Sequence, residues 1–279
     1  MFLGQKKKLE DCILEELSKG PLLILDLIQK IKSRVPGVTK QGVYYALRVL
    51  KSQEVVVLHK GHVSINVSWL NKVNEYTLTA QHHYFSAQQR SGDVAALQDG
   101  EKIKYYFTDP STTDIFWNHT ITILSRIVDP VHPFIAFDPH CWFFIAGDNE
   151  STLRDSVNKD GRSYLVAVNG NTLLDKHIKN EFNGTESQYY MAGKKLFPSE
   201  NYYLNIIGDY IVEVWLDTEC EKRMQHLYSS TKKYSDSVQY ELQSIIEERG
   251  KTKLVVSRNI KKAERLKKKL LKFFFVPTN

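Results

Sequence analysis

The sequence predicts an α/β (α+β) chain in two parts. The first is a small head of three helices closed by a β-hairpin. The second is a larger part in which strands and helices are layered on a mixed sheet. Three observations predict this. Apolar residues recur at helical spacing through the first fifty positions and then fall into two short β-branched runs. From Glu101 onward, strand-like and helix-like stretches alternate, the pattern of an α/β layer. Between the two lie the breakers Ser91-Gly92-Asp93 and Asp99-Gly100.

In the head, Leu9, Cys12, Ile13 and Leu17 form an apolar stripe, with Asp11, Glu15, Glu16 and Lys19 expected to face out. Gly20-Pro21 stops that helix. A second helix is expected over Leu23 to Lys32, through Leu27, Ile28 and Ile31. Val35-Pro36-Gly37-Val38 is a turn. Thr39 is a suitable N-cap for a third helix, whose buried face is Val43, Leu47 and Leu50. Its free face carries Lys40, Gln41, Tyr44, Arg48 and Lys51, with Thr39 and Tyr45 beside them. These residue types pair with phosphates and read base edges. The runs Val55–His59 and His62–Val67 flank Lys60-Gly61 and read as a hairpin. Three helices and a hairpin in this order make a winged helix. Lys51, Lys60 and His62 are expected to meet the DNA backbone, and Lys40, Gln41, Tyr44 and Arg48 the base edges and nearby phosphates. His59 and His62 also have metal-ligand chemistry, but a wing tip against phosphate is the simpler reading, and no metal is expected.

Gly20 to Val67 resembles the winged-helix domain of prokaryotic transcription regulators of the PadR and TrmB kinds. The run Thr39-Lys40-Gln41-Gly42-Val43-Tyr44-Tyr45-Ala46-Leu47 carries the resemblance. A capping residue there precedes a Val-Tyr pair and regularly spaced Leu.

Charge is segregated along the chain. Residues 1 to 70 hold eleven Lys/Arg and six Asp/Glu, and residues 249 to 279 hold eleven Lys/Arg and one Glu. The ends thus carry about +5 and +10, which leaves about −9 for the middle of a chain whose net charge is +6. A basic head and tail suggest localised polyanion sites. No run of about 18 apolar residues is present, so no membrane partner is expected. Met1 to Lys8 has no signal-peptide core. Cys12, Cys141 and Cys220 form neither a disulfide framework nor a zinc pattern. The expected location is cytoplasmic, with the nucleoid.

The expected division is a DNA-binding domain over 1–70, a linker or dimerisation helix over 71–100, and an effector or dimerisation domain over 101–279. In the linker, Val73, Tyr76, Tyr84 and Phe85 share one side of a helix. In the last domain, strands are expected at 103–107, 134–137, 142–146, 164–168, 188–192, 203–207, 210–216 and 254–257. Helices are expected at 113–127, 152–159, 172–182, 219–248 and 260–275. Gly208-Asp209 is a hairpin signal. The tail helix presents Ala263, Leu266, Leu270 and Phe273 or Phe274 to the core, with a basic back. That back is either a solvated face or a second polyanion contact.

This order resembles the phospholipase-D-like domain that follows the winged helix in TrmB-type regulators. Tyr203 to Trp215, a strand, a Gly-Asp turn and a second strand before a long helix, carries it best. Catalytic members of that fold need paired His-x-Lys motifs, each with a downstream Asp. Here His177-Ile178-Lys179 stands alone, Gly184 occupies the Asp position, and the motif falls in an expected helix. The resemblance therefore implies a phospholipase-D-like domain without its catalytic motif, and no catalytic residue is assigned. No Gly-rich phosphate loop or nucleophile elbow is present, and no cofactor is expected.

A small effector would sit where strand ends leave a crevice. Asp109, Asp138, His140, Trp142, Asn169 and Asn171 flank expected strands. Carboxylates, amides and an indole ring together suit a sugar-like ligand. The expected function is a homodimeric transcription regulator that binds double-stranded DNA and is not an enzyme. Two other classes stay open: a nuclease or phosphodiesterase guided by the winged helix, and an antitoxin or defence module whose winged helix binds protein.

Overall fold

A computed structural model describes residues 8–85, 94–141, 153–154, 157–158, 161–184 and 187–275. The chain divides into two compact units, 1–86 and 87–279. The expected strand at 142–146 lies outside the described residues, as does half of the expected helix at 152–159.

In the first unit, α1 (Leu9–Leu17), α2 (Ile24–Arg34) and α3 (Lys40–Ser52) pack around Ile13, Leu17, Leu27, Ile31, Val43, Leu47 and Val63. Those on the helices recur at helical spacing, so each helix buries one stripe, and Val63 of the hairpin closes the core. Three short strands close the unit: β1 (Leu22–Leu23), β2 (Val56–His59) and β3 (His62–Ile65), in the order β1-β3-β2. At the wing tip His59 pairs with His62 across Lys60-Gly61. Both turn residues have positive φ, 47° and 78°, as a type I′ turn requires. Leu23, expected to open the second helix, instead forms β1 with Leu22, and the two pair antiparallel with His62 and Val63 respectively. A helix α4 (Val67–Phe85) follows at once and runs through residue 70.

Two expected outward residues of α1 are buried. Asp11 accepts the Lys8 backbone N–H at 2.9 Å, closing the helix start. Glu16 binds Arg34 Nη1 at 2.7 Å and Lys19 Nζ at 3.0 Å. Those two partners hold its carboxyl below the usual range. Charge alone suggested solvent; the pairing with α2 explains the burial.

The second unit is built on a seven-stranded mixed sheet in the order β4-β10-β9-β8-β5-β6-β7. Its strands are β4 (Lys102–Phe107), β5 (Phe134–Asp138), β6 (Tyr164–Val168), β7 (Ser187–Met191), β8 (Tyr202–Ile207), β9 (Tyr210–Trp215) and β10 (Thr252–Arg258). β5, β6 and β7 run parallel to one another and the remaining pairs are antiparallel, as expected for a mixed α/β layer. Alternate residues of β8 face opposite sides. Asn205 accepts from the Trp117 indole of α5 (Pro110–Ile127), and the Tyr203 hydroxyl donates to Glu221 of α7 (Thr218–Ser230). Leu204 and Ile206 pack with Ala263, Leu266 and Leu270 of α9 (Ile260–Leu271). α6 (Leu173–Phe182) precedes β7.

The helix expected over 219–248 is two helices, α7 and α8 (Asp236–Ile246). Ser229, Ser230 and Thr231 turn their hydroxyls back onto the carbonyls of His226 and Leu227. Such local bonding competes with helix continuation. A buried arginine ties the layers together. Arg162 is 1 % exposed and donates to the carbonyls of Ser125, Val128, Asp129 and His132 at the end of α5.

Candidate nucleic-acid interface

The third helix starts where the sequence says it does. Thr39 Oγ1 accepts the Gly42 N–H at 3.0 Å, satisfying one orphan donor of the first turn. Val43, Ala46, Leu47 and Leu50 are buried. The remaining arc exposes Lys40, Gln41, Tyr44, Tyr45, Arg48 and Lys51. Lys40 Nζ lies 6.0 Å from the Tyr44 ring, and Arg48 Cζ 6.0 Å from the Tyr45 ring. α3 contains no acidic residue. Among the described residues none of its cations meets a carboxylate in an ion pair. Lys60 and His62 are exposed at the wing, the imidazole 3.4 Å from the Lys60 carbonyl. All nine residues expected to contact DNA thus lie on the solvent side of α3, its cap or the wing. An exposed helix face of amide, phenol and unpaired cations can lie along a groove and meet both phosphates and base edges.

Among the described residues, the side chains expected around a strand-end effector point to different places, although the Asn169 N–H donates to the Asp138 carbonyl at 3.0 Å. Asp109 caps α5, its Oδ1 accepting the Thr112 N–H at 2.6 Å. Asn169 accepts the Leu196 N–H at 2.8 Å and fixes the 195–201 loop. Asn171 is exposed, and Trp142 lies outside the described residues. Asp138 is buried at the end of β5, lining a pocket of about 20 Å³ with Asp114, Trp117, Asn118 and Asn205. That volume suits one water-sized group, not a sugar.

His140 is placed differently, in a buried network that adjacency in sequence did not reveal. Its Nδ1 lies 3.0 Å from Asp175 Oδ2, and its Nε2 lies 2.8 Å from Gln225 Oε1. Asp175 Oδ2 and Gln225 Oε1 are both acceptors, an arrangement that favours the doubly protonated ring. Burial opposes that charge, but Asp175 outweighs it and raises the pKa of His140 above its ordinary value. Burial likewise raises Asp175, and the imidazolium more than compensates, leaving it lowered. Asp175 also accepts the backbone N–H groups of Cys141 and Thr172, each at 3.0 Å. Gln225 continues the chain to Glu221 at 2.9 Å, and Tyr203 donates to Glu221 at 3.1 Å. Burial pushes the Glu221 carboxyl up. Thr172-x-x-Asp175, a capping box at the start of α6, was the available signal for Asp175.

Glu221 and Gln225 also line a cleft of about 500 Å³ with Lys195, Ser199, Asn201 and Lys222. The isolated His177-Ile178-Lys179 motif lies within α6. Residues two apart on a helix are turned about 200° from each other, whereas on a strand they share a face. Ile178 is buried between them and His177 is exposed, so the pair cannot hold one phosphate together.

No family model and no curated protein matches the chain. A solved structure that it resembles is TrmBL2, an archaeal chromatin protein whose structure is described as showing a novel mode of DNA binding. The likeness covers 95 % of this chain and 91 % of that one, at 13 % identity and a TM-score of 0.35. Among the described residues no helix is long and apolar enough to cross a membrane, and no group of three or more His, Cys, Asp or Glu is arranged to hold a metal ion.

Proposed function

We propose that the protein is a TrmB-like DNA-binding transcription regulator, its first unit a winged helix that docks α3 in the major groove and the wing on the backbone. The observation that carries this is the unpaired face of Lys40, Gln41, Tyr44 and Arg48 on a capped helix without a single acid. Lys51, Lys60 and His62 extend it toward phosphates, and Thr39 and Tyr45 border it. The test is fluorescence anisotropy on a random duplex at low salt. Each of Lys40→Ala and Arg48→Ala is expected to weaken binding and lower the salt slope by about 1. Unchanged affinity and slope in both variants would sink the assignment.

The domain reading of 1–70, 71–100 and 101–279 belongs to this proposal, with the last part a phospholipase-D-like domain that lacks catalysis. A homodimer paired through α4 fits it, because Val67, Leu70 and Leu78 are exposed and share one face of that helix. Light scattering of Leu70→Glu against the parent chain tests the pairing. In this reading the second unit takes its effector at the cleft that Glu221 and Gln225 line. Its hydroxyl, amide and carboxylate lining suits a polyol, and hydrogen bonds connect it to His140. A thermal-shift panel of mono- and disaccharides that moves neither the parent nor Glu221→Gln removes this part of the reading.

A further inference from the structure

The tail helix α9 has two populations of cations. Lys262 binds Glu213 at 2.6 Å, and Lys267 binds Glu264 at 2.8 Å. Lys269 donates to the Leu196 carbonyl at 2.6 Å, over the Phe197 ring. These three are used inside the fold. Lys261, Arg265, Lys268 and Lys272 are exposed, and among the described residues none of them meets a carboxylate in an ion pair. Lys272 lies over the Phe273 ring at 5.0 Å.

At 100° per residue these four fall within an arc of about 60°, and they span about 16 Å of helix axis. The opposite arc, Ala263, Leu266 and Leu270, is buried on the sheet and alone accounts for docking. Among the described residues no side-chain hydrogen bond or ion pair ties the outer four into the unit. Their mutual repulsion is felt nearby: burial first, then the charges of Lys272 and Arg265, hold the Lys269 ammonium below its ordinary value.

We propose that the outer face of α9 is a second duplex-backbone contact surface, separate from α3, with Lys261, Arg265, Lys268 and Lys272 each meeting phosphodiester oxygens. Each duplex strand carries a phosphate about every 3.4 Å of axis, so a 16 Å row of four cations meets several successive phosphates. An anionic membrane is the weaker match. A helix that lies in a bilayer interface inserts an apolar face, and that of α9 is already buried against β5 and β9. The surface reads no sequence, because lysines and an arginine on phosphates carry none. A chain holding two such surfaces gains affinity through effective concentration, or bridges two duplexes.

The experiment uses the full chain and a random-sequence duplex, with affinity followed between about 50 and 200 mM salt. The variant Lys261→Gln/Arg265→Gln/Lys268→Gln/Lys272→Gln is expected to lower the slope of log K against log salt by about 2 to 4. The variant Lys261→Arg/Lys268→Arg/Lys272→Arg keeps the charge and is expected to retain the slope, which separates charge from folding. A slope within about 1 of the parent's in the Gln variant overturns the proposal, as does an equal loss in the Arg variant. Binding to anionic phospholipid vesicles that vanishes in the Gln variant while the DNA slope stays also overturns it, in favour of a membrane. The outcome is independent of the winged-helix reading. If Lys40→Ala and Arg48→Ala change nothing while the α9 variant loses slope, that reading falls and this surface stands.

Discussion

Nδ1 of His140 lies 3.0 Å from Oδ2 of Asp175, with both side chains almost sealed from solvent. The pair makes stability depend on pH in a defined direction. His140 has a raised folded pKa, so its contribution is full below about pH 6.5 and fades as pH climbs through the raised value. Asp175 has a lowered folded pKa, so its contribution is present above about pH 3.9 and lost on acidification. Glu221, raised by burial, loses stability with rising pH in the same sense as His140. The melting temperature of the second unit is therefore expected to be lower at pH 8.5 than at pH 5.5. His140→Gln should flatten that difference, and an undiminished difference would assign the effect elsewhere. Asp175→Asn should destabilise by about 3 kcal/mol at pH 6, because it leaves a buried charge unpaired.

Gly170 makes room for that pair. A Cβ built there overlaps both Asp175 Oδ2 and His140 Nδ1. Its backbone φ is not in the left-handed region, so space alone requires glycine. Gly170→Ala is expected to destabilise by about 1 to 3 kcal/mol in urea denaturation. In the His140→Gln background its effect should change by at least about 0.5 kcal/mol, since contacting residues are not additive. Strict additivity would separate the two sites.

Arg162 is a single stitch across several carbonyls. Its guanidinium collects the carbonyls of Ser125, Val128, Asp129 and His132 as α5 ends. Arg162→Met keeps the bulk but removes every donor, at about 1 to 3 kcal/mol for the carbonyl of buried Ser125 and less for those of the more exposed Val128, Asp129 and His132. The expected total loss exceeds about 3 kcal/mol by chemical denaturation. Arg162→Lys should restore only part of it, because an ammonium cannot reach all the carbonyls at once. Full recovery by lysine would refute the multiple-acceptor account.

Thr39 tests the geometry of the DNA-facing helix without touching its cations. Thr39→Ala removes the acceptor for the Gly42 N–H and is expected to cost about 1 kcal/mol of stability in the first unit. Thr39→Ser should restore it. DNA affinity should follow stability in this pair of variants if Thr39 acts as a cap. A loss of affinity in Thr39→Ser at full stability would make it a direct contact.

Much of the fold was readable from residue order, for reasons that differ by element. α3 and the wing are legible because Val43, Leu47 and Leu50 keep helical phase and Lys60-Gly61 has turn chemistry. The β6 bounds match because a run of five buried apolar residues is flanked by polar ones. β1 was missed because two residues carry no periodicity, and its pairing with β3 is a tertiary choice. α7 and α8 were read as one helix because Met224, Leu227, Val238, Leu242 and Ile245 stay apolar across the break. Only the hydroxyls of Ser229, Ser230 and Thr231 mark the break. The cation face of α3 was legible, since exposure follows from helical phase. The His140 network was not: Asp175 and Gln225 stand 35 and 85 residues away, and nothing local to any of the three announces the others.

The sheet order has a consequence for how the chain is made. β10 pairs with both β4 and β9, although β4 precedes it by most of the unit. During synthesis, β4 emerges and then waits about 7 to 30 s, at roughly 5–20 residues per second, before its partner exists. Until Thr252 to Arg258 arrive, β4 and β9 both present open edges to any other nascent chain. A stop codon between Trp215 and Thr252 would therefore release a second unit in which both β4 and β9 lack their shared partner.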